Sequence, residues 1–548
     1  MDLNRSWRRL RSALDRHESK LPLSVVLLAA GVAAAVLSPL LWLLISASTL
    51  EIDAAWTVIL AGGTSRILFN SITLVTVVST ASVVIGVPLA ILTVQTDLPY
   101  RRFWTIVISL PLVVPSYIGA FAYISAFGPR GALSDLLAPL GMTMPTVYGL
   151  GGTALVLTLF TYPYVFLTTR ASLISFDRQQ LEAARTLNHS YLSAFRRVIL
   201  PQIAPGITAG VLLVALYTLS DFGTPAIMRY DVFTRIIYIE LNSFGVGRAN
   251  ATLLSIQLLV ITAVILILES RVRGKPAAGY GATPSTTPVV SIGRWRWVSV
   301  VYPALITVFT LILPIAILTM WLFRASPGYS GGGLMFQPSF AVNSVFVAML
   351  AAIITVFVAL PIAYYAGRVR SPVATIVERA TYLGYAMPGV VLGLALVFFS
   401  SQWLRDSIGP GIAGTVYQSL PLLIFAYVVR FLPQAVGSTR SSVLGVDREL
   451  VGAARLLGAP PQRAFRRVTL PLISPGLLAG AALVFLTTMK ELDTTLILHP
   501  TGFTTIVTYI WRVQEAGYYG QAALPALLLI ILSGLSIIPL VRRNDTTK

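Results

Sequence analysis

Two acidic side chains interrupt long apolar stretches at equivalent places in the chain. Asp221 lies in YTLSDFGTPAI, and Glu491 lies 270 residues later in TTMKELDTTLIL. Ionisable groups are costly in lipid and usually face a protein interior or a watery path. Lys490 and Asp493 lie beside Glu491 and, on a helix, would be spaced to pair with each other. Asp221 and Glu491 would then remain as two carboxylates facing each other, an arrangement that favours a cation or supplies hard oxygen ligands for one.

A structural interpretation of the same charges stays open. The four residues can instead form a network that locks two parts of the molecule together, although burying charges purely for packing rarely stabilises a protein. We therefore treat Asp221, Lys490, Glu491 and Asp493 as a candidate substrate pathway, with no certain metal site.

The sequence contains no recognisable nucleotide-binding, catalytic or metal-binding motif. No G-x-x-x-x-G-K-[ST] phosphate-binding loop occurs, and no Ser-His-Asp or metal-hydrolase arrangement is apparent. The three histidines are too few and too scattered for a histidine metal cage, and there is no cysteine for a thiolate site. We expect neither catalysis nor a bound cofactor in this chain, so any ATP that is consumed must be bound by another subunit.

Composition predicts an all-α integral membrane protein. Of 548 residues, 56% are apolar and only 11% are charged, against about 25% charged in soluble chains. Helices are the expected spanning form, because each satisfies its own backbone hydrogen bonds, and about 20 apolar residues cross the hydrocarbon core. Twelve spans are predicted, at 23–48, 69–95, 104–127, 148–169, 207–228, 251–269, 298–323, 344–367, 379–400, 413–431, 475–498 and 521–541.

The basic residues set the predicted orientation. The net charge of +19 is better explained by basic residues that flank spans on the cytoplasmic side than by nucleic acid binding. The first apolar run, 21–50, is too long for a signal peptide and is interpreted as an uncleaved span. Both termini are then cytoplasmic.

The chain is an internal repeat. Asn70-Ser71 recurs as Asn343-Ser344 and Pro115 recurs as Pro388, each 273 residues later. Six spans separate each element from its copy, so the two halves have the same orientation and form a parallel repeat that can enclose a path. We expect a first six-span half at 1–270, a cytoplasmic linker at 271–297 and a second six-span half at 298–548. Pro115 and Pro388 either kink their spans or serve only in helix packing.

One polar loop is also duplicated. The first copy, 181–210, reads LEAARTLNHSYLSAFRRVILPQIAPGITAG, and the second, 451–480, reads VGAARLLGAPPQRAFRRVTLPLISPGLLAG. Both resemble the signature loop of the inner-membrane permeases of ABC importers, which has E-A-A, a later glycine and I-x-L-P. The first copy has Asn at the glycine position, and the second has Gly where Glu is expected. In that family the loop contains a short helix that sits in a cleft on the ATPase, which implies docking by Glu182, Ala183, Ala184, Asn188, Gly452, Ala453, Ala454 and Gly458.

The fused twelve-span design is most similar to the iron(III) importer permeases. The resemblance rests on LSDFGTPAIMRYDVFT, 219–234, and MKELDTTLILHPTGFTTIVTYIW, 489–511. Asp493 stands where that family usually has proline. The resemblance implies a bacterial inner-membrane permease, two copies of an ABC ATPase subunit, and an extracytoplasmic binding protein that delivers Fe(III). A permease for thiamine or another small solute is the alternative, and a secondary transporter without an ATPase is a third.

Overall fold

The computed structural model is helical throughout the part of the chain that it describes. The only β-type contact there is an isolated bridge between Thr96 and Val290. The prediction of an all-α protein is thus confirmed. The described residues are 23–49, 53, 56, 62–128, 131, 139, 147–176, 186, 190–243, 247–273, 290–323, 335–369 and 371–535.

The helices of the first half match the predicted spans in number and order. Leucine, valine, isoleucine and alanine dominate each long helix, so the side chains suit lipid or a packed core. The helical backbone satisfies its own hydrogen bonds. The helices are α1 Leu23–Ser48, α2 Gly62–Gln95, α3 Arg101–Ser109, α4 Ser116–Phe127, α5 Leu150–Ile174, α6 Leu200–Ser220, α7 Gly223–Ile227, α8 Phe233–Leu241 and α9 Gly247–Arg273.

The second half repeats this order. Within the described residues, nine helices are long and apolar enough to cross a membrane, two bent pairs raise the number to eleven, and Tyr519–Leu535 is a shorter apolar helix. The helices are α10 Val301–Thr307, α11 Leu313–Phe323, α12 Pro338–Arg368, α13 Pro372–Ala386, α14 Gly389–Phe398, α15 Leu404–Ile408, α16 Pro410–Val416, α17 Leu420–Leu444, α18 Arg448–Leu456, α19 Leu470–Met489, α20 Asp493–Leu498, α21 Ile506–Glu515 and α22 Tyr519–Leu535.

Proline breaks the third span of each half. Pro115 (φ −61°, ψ 136°) and Pro388 (φ −57°, ψ 144°) have extended backbones directly before α4 and α14. The two helices of each pair are bent by 86° in the first half and 99° in the second. Proline has no N–H to donate and disfavours a helical residue before it. Of the two interpretations of these prolines, the kink is the one that the structure shows.

The fifth span of each half ends earlier than predicted. The sequence predicts continuous spans over 207–228 and 475–498, but α6 ends at Ser220 and α19 ends at Met489. In the first half Pro225 disfavours an unbroken helix, because it has no N–H to donate and its ring crowds the carbonyl of residue 221. The second half has no proline there. In both halves the chain turns at the carboxylate that follows and starts a short helix, α7 or α20.

The Asn-Ser repeat anchors the segment after each short helix. The side-chain amides of Asn70 and Asn343 donate to the carbonyls of Asp231 and Thr504, both at 2.9 Å. The hydroxyls of the serines that follow, at 71 and 344, accept from the backbone N–H at the start of α8 and α21. The repeated dipeptide therefore holds the chain that returns from the centre of each half.

The first span of each half packs against the other half. Helix α1 lies on α12, α13 and α14, and α11 lies on α4 as well as on α22. The hydroxyl of Tyr123 donates to the carbonyl of Phe309 at 2.8 Å. The ring of Trp42 in α1 lies 4.5 Å from that of Trp403 and 5.1 Å from that of Phe399, centroid to centroid. The two halves thus exchange their first helices.

The chain that enters the second half is fixed to the first. The N–H of Val290 donates to the carbonyl of Gln95 at 2.9 Å, and that of Ile292 donates to a carboxylate oxygen of Asp97 at 2.7 Å. This second hydrogen bond is the main reason why the pKa of Asp97 is lowered. The proposed linker, 271–297, stays a prediction, since 274–289 lie outside the described residues.

Truncating an exchanged aromatic side chain tests this packing. We expect Trp42→Ala to lower the stability of the purified protein by about 1–3 kcal/mol, because stacking on the second half is lost and lipid tails replace it only in part. Thermal unfolding in neutral detergent measures the effect. Leu44→Ala is the control, because Leu44 lies on the same helix with its side chain 56% exposed. Equal unfolding temperatures for the two variants would contradict the exchanged packing.

Candidate functional site

A cavity of about 160 Å³ lies where the broken and bent helices of the two halves meet. Its walls come from both halves and combine carboxylates, basic groups and tyrosines with a few apolar side chains. The lining residues are Pro115, Ser116, Tyr117, Tyr164, Leu213, Leu216, Tyr217, Ser220, Asp221, Tyr385, Arg430, Phe431, Gln434, Thr487, Lys490, Glu491, Leu492 and Asp493.

The carboxylate of the first half has neutral partners. Ser116 donates its hydroxyl to Asp221 Oδ1 at 2.6 Å, and the backbone N–H of Thr224 donates to Oδ2 at 3.0 Å. Tyr217 donates its hydroxyl to Ser116 at 3.1 Å, which orients the serine. Among the described residues no basic side chain forms an ion pair with Asp221, so its charge is solvated by dipoles alone.

The carboxylates of the second half have a cationic partner. Arg430, in the middle of α17, lies 3.2 Å from Glu491 (Nη1 to Oε1) and 3.8 Å from Asp493 (Nη2 to Oδ2). Glu491 also accepts from the backbone N–H of Thr494 at 3.2 Å, as Asp221 does from Thr224. Glu491 and Asp493 are only 7% and 8% exposed, so water does little to screen this cluster.

A glycine makes room for the guanidinium. A Cβ on Gly389 would collide with Arg430 Nη1 and would lie 2.7 Å from the Cβ of Asp493. The equivalent residue of the first half, 273 positions earlier, is Ser116. The two halves therefore use one backbone position differently: a hydroxyl that bonds to Asp221 in the first, and a gap that admits Arg430 in the second.

Lys490 joins the halves across the cavity. Its ammonium donates to the carbonyl of Leu112 at 2.7 Å. That carbonyl lies in the short 3-10 turn, Leu110–Leu112, just before the bend at Pro115. The broken span thus exposes a backbone acceptor that a continuous helix would have used internally.

Two expectations about the charged residues are wrong. Lys490 and Asp493 do not pair with each other, because α19 ends at Met489, just before both residues, and the ammonium of Lys490 reaches the other half. Asp221 and Glu491 do line the same cavity, but Glu491 is paired with Arg430 rather than free. Among the described residues, no three acidic or histidine side chains converge to hold a metal ion in this conformation.

Tyr117 is one of the polar residues that line the cavity with these charges. It is 5% exposed, and its hydroxyl has no hydrogen-bond partner among the described residues. Close packing sets the ring: a Cβ on Gly223 would lie 2.7 Å from the Cβ of Tyr117. A buried, unsatisfied hydroxyl costs free energy, so this hydroxyl is available to a ligand in the cavity.

The second duplicated loop forms a short, exposed helix. Helix α18 carries Gly452, Ala453 and Ala454, and its N-cap Asp447 accepts from the backbone N–H of Glu449. Gly458, at φ +83°, ends the turn that follows, a conformation that glycine adopts without strain. Leu456 and Leu457 beside it are 91% and 88% exposed. The corresponding residues of the first loop, Glu182, Ala183, Ala184 and Asn188, lie outside the described residues.

Comparison with known proteins identifies the architecture. The family described as the binding-protein-dependent transport system inner membrane component matches this chain twice, over residues 82–273 and 359–545. The chain belongs to this family. Its two matched segments fall in the two halves, so it is a fused permease with both copies in one chain.

Curated relatives share the fused design. The chain is 29% identical, over 91% of its length and 94% of the relative, to the Fe(3+)-transport system permease protein FbpB 2 of Haemophilus influenzae. It is 27% identical, over 72% of both chains, to a probable ABC transporter permease protein of Sinorhizobium fredii. It is 24% identical, over 85% of its length and 69% of the relative, to the ferric transport system permease protein FbpB of Actinobacillus pleuropneumoniae.

Sequence reasoning missed Arg430. The permease has LPLLIFAYVVRFLPQAV at 420–436, in which this arginine interrupts an apolar run. The predicted span stopped at residue 431, so Arg430 fell at its border and was not singled out. The structure continues α17 to Leu444, which places Arg430 near the middle of the helix. Extending the apolar run past Pro433 would have found it.

Filling the gap at Gly389 tests the buried ion cluster. We expect Gly389→Ala to lower the thermal stability of the purified permease markedly, because the methyl group displaces the guanidinium from Glu491 and Asp493 and leaves buried charges unpaired. Gly437→Ala in α17 is the control, since nothing lies within 4 Å of its added Cβ; it should be neutral or slightly stabilising. A Gly389→Ala protein as stable as the control would show that Arg430 does not occupy this gap.

Proposed function

We propose that this chain is the permease subunit of an ATP-driven ABC importer that moves iron(III). An extracytoplasmic binding protein delivers the cargo, and two copies of a separate ATPase subunit bind one to each duplicated loop. Closure of the ATPase dimer on ATP moves the loops, and the two halves alternate between inward- and outward-facing. The permease itself binds no nucleotide and performs no chemistry.

The proposed ATPase contact rests on α18. An exposed helix with small side chains at 452–454 and two almost fully exposed leucines at its end is unsuited to water. Small residues let another protein approach the helix backbone closely, and the adjacent leucines supply apolar surface for an interface. This loop and both termini are then cytoplasmic, as the distribution of basic residues favours.

The proposed cargo rests on the cavity and on the relatives. Two of the three relatives described above are named for iron(III) transport. Carboxylate and phenol oxygens, the hard ligands that suit highly charged small cations, line the cavity through Asp221, Glu491, Asp493 and several tyrosines. Three carboxylates against two basic groups give the lining a formal excess of one negative charge, which attracts a cation.

The tyrosine lining also suits a second cargo. Tyr117, Tyr164, Tyr217 and Tyr385 surround the cavity together with Phe431. Aromatic faces attract organic cations, so thiamine, a cationic vitamin, is the alternative substrate of the same architecture. Uptake measurements decide between the two.

Charged substitutions at the end of α18 test ATPase docking. We expect the double variant Leu456→Asp, Leu457→Asp to retain less than about a tenth of the co-purified ATPase subunit, because a hot-spot contact at an interface is worth about 2 kcal/mol or more. Transport should fall in parallel, while the thermal stability of the permease itself stays unchanged.

The matched control is Gln462→Asp, an exposed position in the same loop, which should keep normal co-purification. If the double variant also kept its ATPase, the docking assignment of α18 would be wrong.

Uptake by cells with and without the gene tests the cargo. We expect deletion to abolish uptake of radiolabelled Fe(III) and to leave radiolabelled thiamine uptake unchanged, because the anionic cavity suits a hard cation. Wild-type permease should restore iron uptake, and the Leu456→Asp, Leu457→Asp variant should not. Loss of thiamine uptake alone would show that thiamine and not iron is the cargo, and it would leave the proposed importer architecture unchanged.

A further inference from the structure

The equivalent carboxylates of the two halves of the permease have different partners: neutral groups in the first half and a cation in the second. We propose that Arg430 is a built-in counter-cation that withdraws Glu491 and Asp493 from cargo recognition, so that Asp221 of the first half is the carboxylate that recognises a hard cation. The iron cargo in this inference rests on the proposed function. The assignment of roles to the two halves does not.

Asp221 keeps its negative charge available. Its partners are the hydroxyl of Ser116 and the N–H of Thr224. These dipoles hold the carboxylate in place without cancelling its charge, and each oxygen has a further lone pair for a ligand. The ammonium of Lys490, the other cation in the cavity wall, is held by the Leu112 carbonyl and forms no ion pair with any described carboxylate.

The negative charges of Glu491 and Asp493 are not available to a cargo cation. A guanidinium is charged at every accessible pH and presents several N–H donors in a fixed plane. Arg430 places two of its nitrogens on these two carboxylates, and a third contact, 3.4 Å from Nη1 to Oγ1 of Thr494, fixes it further. A cargo cation that bound there would have to displace a desolvated ion pair, which is costly.

Two of the side chains that differ between the halves determine whether a guanidinium reaches the carboxylate. The residue equivalent to Arg430 is Phe160, 270 positions earlier, and the residue equivalent to Gly389 is Ser116, 273 positions earlier. Phe160 is buried and carries no charge. In the first half the carboxylate thus accepts a hydrogen bond from a serine hydroxyl and, among the described residues, has no cationic partner. In the second half a guanidinium fills the gap at the glycine and pairs with the carboxylates.

A second feature points to a ligand in the cavity that Asp221 lines. Tyr117 lines the same cavity and follows Ser116 directly, and its buried hydroxyl lacks a partner among the described residues. A phenol oxygen is a hard donor of the kind that accompanies carboxylates around Fe(III) and similar cations. Asp221, held by Ser116, and Tyr117 on the same cavity lining therefore form the recognising wall, and Arg430 sets which half provides the carboxylate.

Direct cation binding to the purified full-length permease tests the assignment. The probe is Tb(III), a hard trivalent cation that stays soluble near neutral pH, with binding followed by equilibrium dialysis in neutral detergent. We expect Asp221→Asn to weaken binding by about tenfold or more, and Glu491→Gln, the matched change in the other half, by less than about threefold.

Variants of Arg430 supply a readout that structural damage cannot imitate. We expect Arg430→Gln to strengthen Tb(III) binding, because two carboxylates become available, and Arg430→Lys to stay closer to wild type than Arg430→Gln, because the charge is kept although one ammonium cannot contact both carboxylates as the guanidinium does. The double variant Gly389→Ser, Arg430→Phe, which gives the second half the serine and the phenylalanine of the first, should bind a second Tb(III). If these variants fail to fold, the comparison of Asp221→Asn with Glu491→Gln still decides.

The outcomes separate this inference from the proposed function. Equal losses in Asp221→Asn and Glu491→Gln, or a greater loss in Glu491→Gln, would overturn the role of Arg430 even if cellular iron uptake depends on the gene. A selective loss in Asp221→Asn together with unchanged iron uptake on deletion would support the recognising wall and reject iron as the cargo. Loss of Tb(III) binding in Arg430→Gln, with normal thermal stability, would show that the arginine supports binding and would also overturn the proposal.

Discussion

A charged group inside a membrane domain must be surrounded by polar partners, and the centre of this permease is built around that requirement. An unbroken helix has no free N–H groups along its length, whereas a helix that stops and restarts provides them. In each half the fifth span ends immediately before the region of the buried carboxylate, and the next short helix turns a backbone N–H towards it. The break in the helix and the buried charge therefore depend on each other.

The bent third span supplies the rest of the polar environment. Its proline directs α4 and α14 across the molecule, so that the first residue of each lies against the carboxylate of its own half. This residue is Ser116 in one half and Gly389 in the other. One duplicated scaffold thus holds two different charge arrangements, and the cavity between them is asymmetric although the backbone around it is repeated.

Sequence reasoning could predict the parts of this design that depend on local chemistry. The spans follow from apolar runs, and the expectation that Asp221 and Glu491 face a shared interior space follows from charge inside an apolar stretch. For Pro115 and Pro388 the sequence left a kink and simple helix packing open. It could not predict which groups pair, because pairing is set in three dimensions. The spacing of Lys490 and Asp493 favoured a pair only on the assumption of a continuous helix, and the helix ends at Met489, before both residues. The exchange of first helices was equally hidden, since a helix that is apolar on all sides does not show which neighbour it will choose.

A single helical segment connects the loop that contains α18 to the cavity. From the end of the docking loop, one helical segment runs over 461–489 through a single π-helical turn at Phe465–Thr469, and the next residue is Lys490. Helix α19 alone, with 20 residues, spans about 30 Å at 1.5 Å per residue, close to the thickness of the hydrocarbon core. The hydrogen bond between Lys490 and the Leu112 carbonyl, which joins one half to the other, thus lies at the far end of the segment that begins next to α18. The exchanged helices α1 and α11 tie each half to the other, so the proposed alternation has to keep these contacts or remake them.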